Sequence, residues 1–361
     1  MLLPGLINAH CHLDYTCMKG AMFASQSFPE WIRRINGIKK SLGPDDFLQS
    51  IYDGFNELMD TGCTTVLNIE AFPELLNRLE PPPIRTWWFL ELIDIRNKLV
   101  DDASLLGMLQ FFDYKKEWLG GFGLSPHAPY TASVDLYRLA KTAARKLNML
   151  VTTHIAESIE EQSMFLYGEG ALYDFLSSLG RDMSDCAQGS ALSHLIEFGA
   201  IDRNTIAAHL NYLQEYDWEA LASTPMHIVH CPKCHAFFGH YRFPLEQLTQ
   251  VGCNIMLGTD SLASNNKLDL RSEIRQARQF YSEISAREWL EMVTTRPAKA
   301  IGMEDKLGII KKDALADLTA FMLPADSEPH EAVIRSRDVP ALLMVDGVVK
   351  EGFDIKPVCI S

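Results

Sequence analysis

The sequence predicts an α/β fold, a TIM (β/α)8 barrel with a small C-terminal β appendage that forms a partial β-sandwich. Eight short runs rich in apolar and β-branched residues alternate with amphipathic helical stretches, as parallel strands joined by helices do. The 361 residues are enough to contain a barrel of about 250 residues. After residue 302 the pattern changes to short strand-like runs, which predicts the appendage.

The eight predicted barrel strands are apolar runs that end at polar or turn-forming residues. They are Leu6–Leu13, Thr64–Ala71, Ile84–Ile93, Gly121–Ala128, Leu150–Glu157, Thr205–Tyr212, Pro225–Pro232 and Asn254–Ser261. Between them, the apolar residues of 47–59 repeat at helical spacing and stop at Gly62. Those of 134–147 also repeat at this spacing, behind Ser133, a residue type that caps helix N-termini.

The C-terminal part is predicted to contain short antiparallel strands. These are Asp317–Leu323, Ala332–Arg337 and Ala341–Lys350, with Asp346-Gly347 as a hairpin turn. We therefore expect two domains, a barrel at residues 1–302 and a small β-strand domain at 303–361.

Composition excludes several classes of protein. Lys and Arg total 33 against 47 Asp and Glu, and a net charge of −14 disfavours nucleic-acid binding. No run approaches 18 apolar residues and no basic region begins the chain, so we expect neither a membrane partner nor a secretory signal. Eight cysteines are too few for a disulfide scaffold, which favours a cytoplasmic location.

Candidate metal ligands fall at the C-terminal ends of predicted strands. His10 and His12 end the first strand, and their i, i+2 spacing points both imidazoles to one face. His154, His209 and Asp260 end the fifth, sixth and eighth strands, and active sites of TIM barrels gather at this edge. Three such imidazoles and one carboxylate suit one Zn²⁺, with Fe²⁺ as the alternative, and leave a position for water.

Two further residues beside this group are candidates for acid–base and substrate-binding roles. Glu157 follows His154 by three residues, where a carboxyl group can exchange protons with water and a leaving group. Glu157 also fits the first turn of a helix, where the helix dipole favours an acid. His127 ends the fourth strand, where a substrate contact and a purely structural role both fit.

The run His230-Cys231-Pro232-Lys233-Cys234-His235 fits a zinc knuckle, a redox pair or a substrate loop. No second Cys-x-x-Cys completes a structural zinc site, and the role of Cys231, Cys234 and His235 stays open. The sequence lacks the His-x-Glu…Pro-Cys-x-x-Cys deaminase pattern, His-Glu-x-x-His, the P-loop and the nucleotide-binding glycine motif.

Taken together, these motifs resemble the amidohydrolase superfamily. The likeness is to the cytosine deaminase-like branch, which includes guanine, S-adenosylhomocysteine and aminodeoxyfutalosine deaminases and the triazine chlorohydrolases. The segments that carry it are Pro4–His12, Ser125–Tyr130, His154–Glu157, Ala208–His209, His230–Pro232 and Gly258–Asn265.

The resemblance implies a role for each matching residue. His10, His12, His154 and Asp260 would bind one divalent metal, and Asp260 would also help to deprotonate the water. In the same scheme Glu157 would shuttle protons.

The resemblance also implies that His209 would hydrogen-bond the attacking group or the substrate, and that His127 would contact the ring. Further candidate substrate contacts are Glu91 and Arg96, near strand three, and Ser158.

The resemblance implies a metal-dependent deaminase that releases ammonia from an amino-substituted heterocycle. The segments are most similar to aminodeoxyfutalosine deaminases, which act on an adenine-type nucleoside in menaquinone biosynthesis. Guanine or S-adenosylhomocysteine deamination and a triazine-type chloro- or aminohydrolase are the alternatives. Many relatives form dimers, so a homodimer is a further expectation.

The chain departs from the family in two places. Lys233-Cys234-His235 replaces a common Arg-Ser-Asn after His-Cys-Pro. Family members usually have several strands before the His-x-His motif, whereas nine residues precede His10. The C-terminal strands would then lack half of their sheet and expose an edge.

Two other interpretations follow from these features. A truncated, inactive relative that only binds its ligand remains an alternative. A cyclic-amide hydrolase with two metals needs a lysine on strand four, which Gly121–Ala128 does not contain.

Overall fold

A computed structural model describes residues 1–23, 27–95, 115, 117–350 and 352. Within them, parallel strands form one curled sheet and four short antiparallel strands form another. The strands are β1 Leu2–Pro4, β2 Leu6–His12, β3 Cys63–Glu70, β4 Arg85–Leu92, β5 Gly120–Pro126, β6 Leu150–Ile155, β7 Thr205–His209, β8 His227–His230, β9 Asn254–Leu257, β10 Asp260–Ser261, β11 Leu318–Ala320, β12 Leu342–Val345 and β13 Val348–Val349.

The parallel sheet closes on itself because its eighth strand is in two pieces. β2 to β9 pair in chain order, and β10 pairs with β2 through Asp260 opposite Cys11 and Ser261 opposite His12. Only Gly258 and Thr259 separate β9 from β10, and the Thr259 N–H donates to the His10 carbonyl at 3.1 Å. The predicted TIM barrel is confirmed.

Helices connect the barrel strands on the outside. The α-helices are α1 Phe28–Lys39, Pro44–Asp60, Val134–Leu147, Ile159–Tyr167, Ala171–Ser178, Ala191–Glu197, Glu215–Ser223, Pro232–Phe238, Leu245–Gln250, Leu270–Ala277, Ala286–Glu291, Thr295–Ala300 and Pro329–Arg335, and 3-10 turns occupy Leu13–Met18 and Pro73–Asn77. Both predicted helices are present, and the Ser133 side chain accepts from the Leu136 N–H as the predicted cap. None of the helices in the described ranges has the length and hydropathy needed to cross a membrane.

The barrel strands are buried on both faces, which explains their nearly continuous apolar character. In β4, Trp87 and Phe89 pack in an apolar cluster at the barrel interior, whereas Trp88 and Leu90 pack in the larger cluster beneath the outer helices. This alternation follows the two-residue period of a strand. The packed interior leaves the strand ends as the place where polar side chains collect.

The prediction of a strand at Ala332–Arg337 is wrong, because Pro329–Arg335 is a helix. The Glu328 side chain accepts from the Glu331 N–H at its start, and Pro329 occupies the first turn, where its missing N–H has no cost. Val333 and Ile334 are buried. An apolar run this short does not distinguish strand from helix, and the proline and cap decide the outcome.

The small sheet takes strands from both ends of the described chain. Its order is β1-β11-β12-β13, with β1 antiparallel to β11. The predicted hairpin is confirmed, with Asp346 and Gly347 at φ of 52° and 80° between β12 and β13. Leu2–Pro4 thus covers one edge that was expected to be open. The domain boundary at residue 302 stays a prediction.

Candidate metal centre and active-site cavity

The ends of three barrel strands, β2, β6 and the β9–β10 strand, bring together the predicted metal ligands. The imidazole nitrogens of His10, His12 and His154 that could bind a metal lie within 4.8 Å of one another, and all three residues are buried. His12 Nε2 and His154 Nε2 face each other at 3.4 Å. Asp260 Oδ1 lies 3.6 Å from His10 Nε2 and 3.7 Å from His12 Nε2.

The ring nitrogens of His154 and His10 are in the states that metal binding requires. His154 Nδ1 hydrogen-bonds the His127 carbonyl at 2.8 Å, and because a carbonyl can only accept, Nδ1 carries the proton and Nε2 presents a lone pair. His10 Nε2 is buried without a hydrogen-bond partner in the described structure. A buried nitrogen of this kind is costly unless something binds it, and a divalent metal would do so.

The charge states at this cluster also suit metal binding. Burial, together with the neighbouring charge of His10, lowers the pKa of His12 well below its usual value and that of His154 to about 3. Burial opposes ionisation of Asp260, but the adjacent imidazoles of His10 and His12 hold its pKa well below the usual range. Neutral imidazoles and an ionised carboxylate are the forms that coordinate a metal.

Glu157 and His209 face each other beside this cluster. Glu157 Oε1 lies 3.7 Å from His209 Nε2, and both side chains are buried. Burial, and then the charge of Asp260, raises the pKa of Glu157 well above its usual value. Burial lowers the pKa of His209. A carboxyl group that keeps its proton near neutral pH can act as an acid.

Two residues that hold Glu157 in place were missed by sequence reasoning. Glu161 accepts hydrogen bonds from the Ala156 and Glu157 N–H groups at 2.9 and 2.8 Å, and Asn211 Nδ2 donates to the Glu157 carbonyl at 3.0 Å. The signal for Glu161 was Ser158-x-x-Glu161, the spacing of a helix capping box. Asn211 gave no such signal.

Backbone strain accompanies the site. Ala156, His209 and Asp260 have φ of 52°, 77° and 55°, in the left-handed region that residues with a Cβ avoid. Ala156 directly precedes Glu157, and His209 and Asp260 are themselves residues of the candidate site. Such strain costs about 1–3 kcal/mol per residue and collects at functional sites, where the surrounding fold enforces it.

A cavity of about 190 Å³ opens beside the cluster. His12, His154, Glu157, His209 and Asp260 line one part of it.

Among the predicted substrate contacts, His127 and Glu91 line this cavity. His127 Nε2 is 3.9 Å from Glu91 Oε1, and Nδ1 is 2.6 Å from the Thr131 hydroxyl. Ser158 is fully buried and outside the described lining; its hydroxyl caps the helix that starts at Ile159. Arg96 lies outside the described residues.

The run after β8 forms the start of a helix. Cys231 and Cys234 are free, buried thiols that pack in the inner apolar cluster, and burial raises the pKa of both well above the usual value. His235 instead faces a small cavity shared with His230 and His240. In the described part of the chain, the one group of three converging metal-ligand atoms is that of His10, His12 and His154.

Comparison with known proteins gives a family match and many likenesses that extend over most of this chain. The model of the amidohydrolase family matches residues 1–350. The 5-methylthioadenosine/S-adenosylhomocysteine deaminase of Pyrococcus furiosus is 28% identical over 342 residues, which is 91% of this chain and 76% of the relative. The enzyme of that name from Halothermothrix orenii is 29% identical over 335 residues, 88% of this chain and 71% of the relative.

Solved structures share the fold. Aminofutalosine deaminase of Helicobacter pylori, in complex with methylthio-coformycin, superposes with a TM-score of 0.85 at 21% identity and covers 97% of this chain and 86% of its own. A zinc-bound adenosine deaminase of Xanthomonas campestris gives 0.80 at 23% identity, with 97% and 80% coverage. Atrazine chlorohydrolase of Arthrobacter aurescens, in complex with zinc, gives 0.77 at 20%, with 96% and 83% coverage.

Proposed function

This chain belongs to the amidohydrolase family, and on that premise we propose that it is a metal-dependent hydrolytic deaminase of adenine-bearing nucleosides. The observation that carries the proposal is the convergence of His10, His12, His154 and Asp260 at the mouth of the barrel, beside a cavity that Glu157 also lines. Ligands and a buried acid at the wall of one cavity are the parts that hydrolysis of a ring amine requires.

In this proposal His10, His12, His154 and Asp260 would hold one divalent metal, for which we favour Zn²⁺. Bound there, the metal supplies Lewis acidity that activates water for attack at neutral pH. Asp260 accepts a proton from the water, and His209 orients the attacking oxygen by a hydrogen bond. Both residues line the cavity in which the substrate ring would lie.

Glu157 carries the proton transfer to the substrate. Water adds to the ring carbon that bears the amine while Glu157 protonates the neighbouring ring nitrogen. The proton that Asp260 took from the water passes to the amine, the C–N bond breaks with release of ammonia, and the hydroxyl proton of the adduct returns to Glu157 as the carbonyl forms. The position of Glu157 supports this role, because its backbone is fixed by Glu161 and Asn211 while its carboxyl group faces His209. His127 and Glu91 would contact the nucleoside.

The choice of an adenine nucleoside rests on the relatives. Both curated relatives described above are named for deamination of methylthioadenosine and S-adenosylhomocysteine. The apolar part of the cavity, which includes Phe28, Trp31, Tyr130 and Leu176, suits a flat ring. We include aminodeoxyfutalosine among the candidate substrates because of the sequence likeness.

Ammonia release by the purified, Zn²⁺-loaded protein tests the proposal. The panel holds methylthioadenosine, S-adenosylhomocysteine, aminodeoxyfutalosine, adenosine, guanine and cytosine. We expect release from at least one adenine nucleoside. Glu157→Gln keeps the size of the side chain but removes the acid, and should lower kcat by about 100-fold or more.

The matched control is Glu169→Gln, the same chemical change at an exposed position, which should leave kcat unchanged. Activity on guanine or cytosine alone would contradict the proposed nucleoside substrate but would still support a deaminase. Release of ammonia from none of the panel by a metal-loaded, folded protein would contradict the proposed function.

A further inference from the structure

A single cation lines the described wall of the catalytic cavity. Lys39, the last residue of α1, is the one Lys or Arg among its described lining residues. Its Nζ donates to the Tyr15 hydroxyl at 2.7 Å, and the Tyr15 ring is parallel to that of His12 at 5.7 Å. Lys39 is half-buried, so its charge is only partly screened by water.

The cavity continues outward into a larger, basic mouth. This outer cavity of about 810 Å³ shares Lys39, Asn36 and the side chains of Phe175 and Leu179 with the inner one. Its described lining adds two cations, Arg33 of α1 and Lys40 directly after that helix, and no Asp or Glu. In a chain of net charge −14, a mouth lined by cations is a local reversal of sign that favours an anionic ligand.

Glu91, one of the three carboxylates in the described lining of the cavity, contacts a residue other than Lys39. Glu91 Oε1 lies 3.9 Å from His127 Nε2 on the strand side of the cavity. Lys39 Nζ instead donates to a neutral hydroxyl. Its charge acts at longer range on the buried carboxyl groups of Asp14 and Glu91, but Lys39 forms no ion pair with a described residue, so a ligand carboxylate can still pair with it. The apolar side chains at the junction of the two cavities would hold the uncharged arm of such a ligand.

We propose that Lys39 selects adenine nucleosides whose sugar-side substituent ends in a carboxylate. The inference rests on the proposed function and narrows its substrate class. The adenine ring lies in the inner cavity beside Glu157, and the substituent follows the apolar wall of Phe175 and Leu179 to the ammonium group of Lys39. A charge-assisted hydrogen bond to the carboxylate then adds affinity that a neutral nucleoside cannot gain.

The test compares two substrates that differ only in charge. Aminodeoxyfutalosine, which carries a carboxylate, is measured against its primary-amide analogue, with kcat/KM determined for each. We expect wild type to prefer the carboxylate, and Lys39→Met to lower that preference by about 10- to 100-fold, the value of one ionic hydrogen bond. Lys39→Arg, which keeps the charge, should retain the preference.

Lys312→Met, at an exposed position outside both cavities, is the matched control and should change neither constant. An equal loss on both substrates in Lys39→Met would overturn the inference, because it would assign Lys39 to supporting Tyr15 rather than to recognition. An unchanged preference would overturn it as well. Failure of wild type to deaminate any adenine nucleoside would instead contradict the proposed function itself.

Discussion

His154 has both the orientation and the charge state that binding of a metal requires. Its Nδ1–H is fixed by the His127 carbonyl, so its Nε2 lone pair points toward His12 Nε2, 3.4 Å away. Two lone pairs at this distance repel unless a cation lies between them or one nitrogen is protonated. Because burial lowers the pKa of His154 to about 3, His154 stays neutral at neutral pH. Without a metal, neutral His12 can hold its hydrogen on Nε2 and donate it to His154; with a metal bound, both Nε2 lone pairs face the ion.

Loss of this imidazole should therefore remove the metal. We expect His154→Ala, purified from zinc-supplemented culture, to lose most of the metal that wild type retains after dialysis against a weak chelator. Elemental analysis per mole of protein measures this directly and also distinguishes Zn²⁺ from Fe²⁺. Circular dichroism shows that the variant is folded.

The control is His194→Ala, which removes a histidine from a helix outside the metal centre. It should retain as much metal as wild type. Full metal content in His154→Ala would place the metal elsewhere and remove the basis of the ligand assignment.

The sequence predicted residues of the site that stand in motifs and missed those that act through the fold. His10, His12, His154 and Asp260 end strands, and the barrel brings strand ends together. Glu161 and Asn211 support Glu157 only because the chain turns after β6 and β7, with Ala156 and His209 at positive φ. Sequence spacing does not encode that turn.

The interruption of the eighth barrel strand is the element that closes the site. Gly258 lies between β9 and β10, so close to β2 that a Cβ there would lie 2.7 Å from His10 Cβ and 2.8 Å from the His10 carbonyl oxygen. A Cβ does not approach other atoms to this distance without displacing them. The glycine therefore allows β10 to place Asp260 beside His10.

Gly258→Ala should push β2 and β10 apart and weaken the metal site. We expect metal affinity to fall by about 10- to 100-fold, as it does when the support of a ligand is disturbed. The free energy of unfolding should fall by about 1–3 kcal/mol from overpacking. Chelator competition and urea unfolding measure the two effects.

Gly43→Ala provides the comparison, because the new Cβ would meet only the Asp46 carboxylate at an ordinary 3.7 Å. It should change metal affinity by less than the error of the measurement. Wild-type metal affinity in Gly258→Ala would show that β10 tolerates displacement and that the close approach does not matter.

The sequence predicted an element well wherever its apolar run was long. All eight barrel strands were predicted within a few residues of their observed ends, because each run is buried on both faces. Ala332–Arg337 was predicted as a strand, whereas Pro329–Arg335 is a helix, because so short an apolar run does not distinguish the two. The contribution of Leu2–Pro4 to the small sheet is a contact between distant parts of the chain, which local pattern cannot show.

At the scale of the whole molecule, one buried ion pair joins the barrel to the small sheet. Arg85 begins β4, and its Nε and Nη2 donate to the two carboxylate oxygens of Asp317 at 2.8 and 3.2 Å. Asp317 precedes β11, and it also accepts from the Asp346 N–H in the hairpin turn at 2.7 Å. Both side chains of the pair are less than a tenth exposed.

Asp317→Asn should therefore destabilise both parts together. Removing one partner of a buried pair leaves the other charge uncompensated and costs about 3–5 kcal/mol. Because Asp346 also accepts from Arg85, at 3.1 Å, we expect the lower end of that range. Asp45→Asn, which breaks an exposed pair with Arg78, is the control and should cost less than about 1 kcal/mol.

If the two parts form one cooperative unit, the urea unfolding midpoints measured by fluorescence and by metal release should shift together in Asp317→Asn. The six tryptophans all precede residue 303, so fluorescence and metal release both report on the barrel. Faster hydrogen exchange confined to β11, β12 and β13, with the fluorescence and metal-release midpoints unchanged, would show that the small sheet unfolds separately and does not support the catalytic barrel.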